Sequence, residues 1–353
     1  MVRSFRWRAL FGTLLVIIIG LSASPTRSQD TPSLRELGEP LGLRFGNVLS
    51  DAYQYEENRE LSAQQFNLGI LEFFWFLIEP ERGQYDFSWI DEQLEWAESQ
   101  DMAIIGHALI YGAQVNPGWL VEDATLTRDD LIALMVDHIE MVVSRYAGRV
   151  DTWIVTNESR IGNGWYDFFL DRIGPEYVDI AFAAARAANP DAILLYGDVD
   201  NETSQGEFTP FTLELANRLK EDGLIDGLSL QFHLNPGLRT YERQDMIDTL
   251  RAYGLPVYIT ELDIDLRDTP GTQETRWAVQ ADLYRLVLDV AIAVDAQSIS
   301  LWGLSDRYSW KEYPPEAETS NAQSDPLLFD EDNQPKPAFF AWVELLTERL
   351  SAS

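Results

Sequence analysis

Short apolar, β-branched runs recur along the chain at 43–49, 66–73, 103–111, 151–158, 193–199, 227–234, 257–264 and 298–305. Each is bounded by polar or turn-forming residues and has the length of a buried strand. Between most of them the apolar spacing lengthens to three and four. "SWIDEQLEWAESQ" (88–100) reads as an amphipathic helix, as does "TRWAVQADLYRLVLDVAIAV" (275–294). "TRDDLIALMVDHIEMVVSRYAG" (127–148) puts Leu131, Met135, His138 and Val142 on one stripe. Strands alternating with helices pair in parallel through helical crossovers. Eight such units predict an α/β chain folded as a (β/α)₈ TIM barrel in a single domain, 31–350. A doubly wound open sheet is the alternative. It calls for a glycine-rich phosphate turn after the first strand, and "FGNVLSDAY" is not one.

The first residues follow another pattern. Arg3, Arg6 and Arg8 precede an apolar run at 9–21, and small and polar residues follow. At about 13 residues the run falls short of the roughly 20 needed to span a bilayer. Basic, then apolar, then small is the order of a secretory signal, so 1–28 is expected to be a signal peptide, with a retained N-terminal anchor second. A secreted, periplasmic or extracellular location follows. The chain has no cysteine, so it must be held together by its core. Its formal charge is −32. Removing 1–28, with Arg3, Arg6, Arg8, Arg27 and no acid, makes it four charges more negative, about −36. Such a surface repels nucleic acid and anionic lipid. Membrane association is expected only if the N-terminal segment is kept.

In a barrel the C-terminal ends of the strands line the active site. The third strand carries His107 and ends in Tyr111, and the fourth ends in Asn157-Glu158. The sixth places Gln231 and His233 on one face, the seventh Glu261 and Asp263, and the eighth ends near Trp302. Asn157-Glu158-Ser159 and Asn201-Glu202-Thr203 also fit the N-glycosylation pattern. A lone strand-end glutamate has a plain reading as a cap or ion-pair partner. Two on strands four and seven, facing each other across the mouth with aromatic residues near, suit glycoside cleavage. One carboxyl protonates the leaving oxygen, and the other attacks the anomeric carbon or activates water. Metal hydrolysis is disfavoured, because the three histidines include no H-x-H or H-E-x-x-H pair and His138 lies in a helical stripe. No metal or cofactor is expected. A G-x-S-x-G nucleophile turn is absent.

At these residues the chain resembles the family 10 glycoside hydrolases, the xylanase family. The motifs stand in order: FGN at 45–47, GHAL at 106–109, WIVTNE at 153–158, SLQFHL at 229–234, ITELD at 259–263, WGLSDRYSW at 302–310 and QPKPAF at 334–339. The resemblance implies a retaining endo-β-1,4-glycanase, xylan being the favoured β-glycan. Glu158 would be the acid/base and Glu261 the nucleophile, their carboxyls ~5–5.5 Å apart. Asn157 would bind the sugar 2-hydroxyl. His233, between Glu261 and Asp263, would keep Glu261 ionised, with a lowered pKa. His107, Tyr111, Gln114, Gln231, Asp263, Trp302 and Trp310 complete the implied sugar site. Trp119, Trp165 and Tyr166 are further candidates for outer platforms, with packing the plain alternative.

The match breaks in two places. In strand two, Ile70, Leu71 and Phe74 replace a Glu, an Asn and a Lys that hold sugars on the non-reducing side in the family; Glu72 stays nearby. After GHAL, Ile110-Tyr111-Gly112 replaces V-W-H. An intact catalytic centre with altered glycone subsites is expected, with an apolar wall at Leu71 and Phe74. The competing expectation is a degenerate barrel that binds β-glycan without turning it over.

Overall fold

The computed structural model describes residues 31–112, 115–159, 167–312 and 323–352. Eight parallel strands close on themselves: β1 (Arg44–Val48), β2 (Leu68–Glu72), β3 (Ala103–His107), β4 (Thr152–Asn157), β5 (Ile193–Asp198), β6 (Gly227–Leu230), β7 (Val257–Ile264) and β8 (Ser298–Leu301). Neighbours in sequence pair throughout, and β8 pairs with both β7 and β1, which leaves no edge. A helix follows each strand: Glu56–Gln65, Ser88–Ser99, Arg128–Arg145, Tyr177–Ala188, Thr209–Glu221, Arg243–Ala252, Gln273–Ala293 and Pro337–Ala352. This is the (β/α)₈ barrel the pattern predicts. The signal-peptide expectation for 1–28 lies outside the described residues. No described helix is long and apolar enough to cross a membrane.

Two apolar layers hold the barrel. Inside it, Val48, Leu68, Ile70, Ile105, Ile154 and Leu195 interdigitate, with Tyr258 and Trp302 against them. Outside, residues such as Phe45, Trp153, Val155, Leu194, Leu228 and Ile259 meet the helices in one continuous core. Each fully buried aliphatic or aromatic side chain contributes about 1.5–3 kcal/mol, and this core stands in for the missing disulfides. Helix starts are fixed locally. Thr127 caps Arg128–Arg145 in a reciprocal capping box with Asp130, and the Thr272 hydroxyl caps Gln273–Ala293.

Two strands depart from the regular ladder, and they are the two that carry the glutamates. Against β8, Ile259 pairs with Ile299 but Leu262 with Leu301, so β7 holds one extra residue at Thr260-Glu261. Against β5, Ile154 pairs with Leu195 but Thr156 with Tyr196, so β4 holds one extra residue too. These are β-bulges, which re-aim the side chains beyond them. The third predicted strand is also shorter than expected. It ends at His107, and Ile110–Tyr111 resumes as a two-residue piece paired with Thr156 and Asn157 of β4.

Candidate active site

The bulge in β7 decides where Glu261 points. Val257, Ile259, Leu262 and Ile264 face the helices. Thr260 faces inward, its hydroxyl 2.7 Å from that of Ser229. Regular alternation from Thr260 would send Glu261 outward. The extra residue turns it inward instead, and Asp263 follows. The bulge in β4 does the same for Asn157. Ile154 lies inside the barrel and Val155 outside, so strict alternation would face Asn157 to the helices. Asn157 instead accepts a hydrogen bond from Gln231 at 3.4 Å. Glu158 follows with φ +53°, a left-handed conformation uncommon outside glycine, and its N–H donates to the Gly197 carbonyl at 2.9 Å. The Asn157 turn needs Gly197, where a Cβ would lie 2.3 Å from Asn157 Oδ1.

Two sets of polar contacts meet at this mouth. On the β4 side, buried Gln231 Nε2 donates to Glu158 Oε1 at 3.0 Å as well as to Asn157, joining the two. On the β7 side, His233 Nε2 stands 3.4 Å from Glu261 Oε2, and its Nδ1 2.8 Å from Asp263 Oδ2. Gln231 and His233, expected on one face, therefore lean to opposite sides. Phe232 between them is left-handed at φ +52°, which splays them apart. Trp310, half exposed, donates its indole N–H to Asp263 Oδ2 at 2.9 Å and meets the His233 ring edge to face at 5.1 Å. His107 Nδ1 stands 3.8 Å from Glu261 Oε1, and its ring packs edge to face on Trp302 at 5.0 Å. Tyr111 is in register with Asn157. Its neighbour Ile110 is in the outer core, so Tyr111 faces inward. Glu158, Glu261, Asn157, His107, Gln231, His233, Asp263, Trp302 and Trp310 thus lie together, with Tyr111 beside Asn157, while Gln114 lies outside the described residues.

The electrostatics correct one expectation. Burial pushes the Glu261 pKa up, to about 7, and the Glu158 and Asp263 charges add to the rise. The His233 hydrogen bond and charge oppose the shift without overcoming it. Glu261 is therefore raised, not lowered, because loss of water outweighs one cation. Burial also pulls His233 down, but Asp263, through charge and hydrogen bond, and Glu261 lift it to about 9. Burial alone takes His107 to about 3, so it stays neutral beside Glu261. Two oxygens there lack a hydrogen-bond partner among the described residues, Glu261 Oε1 and Asp263 Oδ1.

The altered wall is smaller than expected. Leu71 does not face the mouth; it is buried in the sheet–helix layer, and Ile70 lies within the barrel interior. Glu72, in register with His107, points inward by alternation. Burial raises its pKa, and a hydrogen bond from Ser50 opposes that rise. Only Phe74 meets the site, edge to face with His107 at 5.7 Å and stacked 6.3 Å from the exposed Phe76. Gly112 opens no gap either. A Cβ there would lie 2.3 Å from the buried Asp167 carboxylate, which caps the next helix and accepts a hydrogen bond from Tyr177. Trp119 is tied down by donating to the Glu79 carbonyl, while Trp165 and Tyr166 lie outside the described residues. Both glycosylation patterns fail on burial, since Asn157 is 1% and Asn201 0% exposed. His138 is packed, stacked on Trp75 at 4.2 Å. One neighbour escaped the sequence reading: Lys311, whose ammonium stands 3.8 Å from Asp263 Oδ1.

Two carboxyls on separate strands at the mouth of a (β/α)₈ barrel, one linked to an amide pair and one to a histidine–aspartate pair, define a glycoside hydrolase site. The family model described as "Glycosyl hydrolase family 10" matches residues 33–345, and the chain belongs to that family. It is 33% identical to an endo-1,4-beta-xylanase B from Thermotoga neapolitana, over 96% of this chain and 97% of that one. Its fold is similar to native xylanase 10B from Thermotoga maritima, with a TM-score of 0.81 and 32% identity over 91% of this chain and 100% of that one. Xylanase 10B from Thermotoga petrophila, solved in complex with xylobiose, aligns with a TM-score of 0.80 and 31% identity over 90% and 98% of the two chains.

Proposed function

We infer that the protein is a retaining endo-β-1,4-xylanase, with Glu261 as nucleophile and Glu158 as acid/base. The observation that carries the assignment is the state of Glu261. It is buried at the mouth, with one oxygen near His233 and the other without a hydrogen-bond partner among the described residues. In the first step a Glu261 oxygen bonds the anomeric carbon. The bond to the leaving sugar breaks, and Glu158 gives its proton to the leaving oxygen. The resulting ester is neutral, which removes a negative charge beside Glu158 before Glu158 must act as a base. Water then attacks the anomeric carbon, Glu158 takes its proton, and the ester bond to Glu261 breaks. Asn157, its oxygen already engaged by Gln231, turns its amide N–H groups to the sugar hydroxyl.

The test is hydrolysis of xylan and an aryl β-xylobioside by wild type, Glu158→Ala and Glu261→Ala. The Glu261 variant should lose turnover on both. The Glu158 variant should fall by about 10²–10⁴ on xylan and less on an aryl substrate whose leaving group needs no proton. Undiminished turnover in Glu261→Ala sinks the nucleophile assignment, and an inverted first product sinks double displacement. Binding of xylan with no turnover by wild type would favour the degenerate-barrel reading. We also propose that residues 1–28 direct export, on their basic–apolar–small order. N-terminal sequencing of the mature protein tests this; an intact Met1 in a membrane fraction would make the segment an anchor.

A further inference from the structure

Asp263 uses its two oxygens differently. Oδ2 takes both hydrogen bonds, from His233 Nδ1 at 2.8 Å and Trp310 Nε1 at 2.9 Å. Among the described residues Oδ1 is buried with no hydrogen-bond partner, and the Lys311 ammonium stands 3.8 Å from it. The Lys311 side chain is only 15% exposed. Its ammonium lies 4.1 Å from the Trp310 ring centroid, a cation–π contact that fixes its position. From Lys311 the charges alternate through Asp263 and His233 to Glu261, over 3.8, 2.8 and 3.4 Å.

We propose that Lys311 is a positioning residue for Glu261, closing a four-charge chain whose members sum to zero around the buried nucleophile. The proposal rests on the reading of Glu261 as nucleophile. Without the lysine the chain carries a net negative charge in a poorly solvated place, and that excess opposes ionisation of Glu261. Among the described residues, the other groups facing the chain do not replace it. His107 on β3 is neutral, Glu158 after β4 is acidic, and Tyr284 on Gln273–Ala293 donates its hydroxyl to the Pro326 carbonyl. The Lys311 charge also repels the His233 imidazolium, and so holds down the His233 pKa.

The test uses Lys311→Met, Lys311→Gln and Lys311→Arg in the full chain. One readout is the pH dependence of kcat/KM on an aryl β-xylobioside. The other is the ring titration of His233 by NMR, which is simple because the chain has three histidines and burial keeps the other two neutral above about pH 3. The neutral variants should move the acid limb to higher pH by about half a unit or more. They should also raise the His233 titration, and Lys311→Arg should return both toward wild type. A folded neutral variant with the wild-type limb and titration overturns the proposal. So does a uniform loss of rate at all pH values that arginine does not rescue. A wild type inactive on xylobioside would sink the function instead, and the His233 titration would still decide the charge chain.

Discussion

At the scale of single residues, Phe74 is where the site departs most from its polar surroundings. Its ring covers His107, and the exposed Phe76 extends the apolar surface outward. An apolar ledge binds a sugar by its C–H faces and leaves no buried polar group unpaired when a hydroxyl is missing or moved. It therefore discriminates between sugars by only about 10–200-fold, where a hydrogen-bonding site reaches 10⁴ or more. The expected phenotype of Phe74→Ala is a KM about 2- to 10-fold higher on aryl β-xylobioside, from one lost ring contact, with kcat little changed. An unmoved KM would show that the ring only shields His107 from water. Leu71 and Gly112 carry no such prediction. One is buried behind the sheet, and the other is backed by Asp167.

At the scale of elements, the two strands that carry the glutamates are the ones whose ladders slip, and this bears on how much the sequence revealed. The eight strands and their helices were legible because a buried parallel strand is a short apolar run and an amphipathic helix has its own period. Even the slip in β7 leaves a trace. Its outward apolar positions are 257, 259, 262 and 264, so the spacing of two breaks once, between Ile259 and Leu262. The β4 slip leaves no comparable mark, because every position in Trp153-Ile154-Val155 is apolar. Lys311 was illegible for a different reason. Its partner Asp263 is far away in sequence, and only closure of the barrel brings them together. The raised pKa of Glu261 is likewise invisible in the sequence, since the depth of burial cannot be read from a motif. Gly197 tests the β4 bulge directly. Gly197→Ala puts a methyl against Asn157 Oδ1 and near Ile154 Cγ2, so Asn157 must leave its place beside Gln231. The expected result is a fall in kcat/KM of at least about ten-fold, equivalent to roughly 1.4 kcal/mol of lost transition-state binding, with a smaller proportional change in Tm. A variant as active as wild type would mean that Asn157 can be turned aside without cost.

For the whole molecule, the buried groups raised by burial and the surface charge act in one direction on the alkaline side, and buried Lys336, whose pKa burial lowers, acts against them. Burial raises Glu202, Glu261 and Asp306 to about 7. Their folded forms hold protons that the unfolded chain releases nearer 4, so the stability they contribute is present at low pH and lost as pH rises through 7. His233, lifted to about 9, contributes stability that is complete below its ordinary value of 6.5 and lost as pH rises through 9. His107 and His138 act in the opposite sense. Burial holds both at about 3, so the unfolded chain binds their protons first, and stability falls as pH drops from 6.5 toward 3. Between about pH 4.5 and 6.5 the two histidines offset most of the loss from the three carboxyls; above that range neither histidine offsets the loss, and only the lowered pKa of Lys336 opposes it among these groups. Surface repulsion adds to it, because a chain at −32 gains stability when its charges are screened or partly neutralised. Calorimetry across pH should therefore give a Tm that is nearly flat from about 4.5 to 6.5 and declines steadily to 9. Roughly 0.5 M salt should recover part of the decline by screening exposed charge. It should not recover the His233 part, because that proton sits among buried partners. A Tm that rises from pH 6.5 to 9, or a decline that salt abolishes entirely, would contradict this assignment of charge.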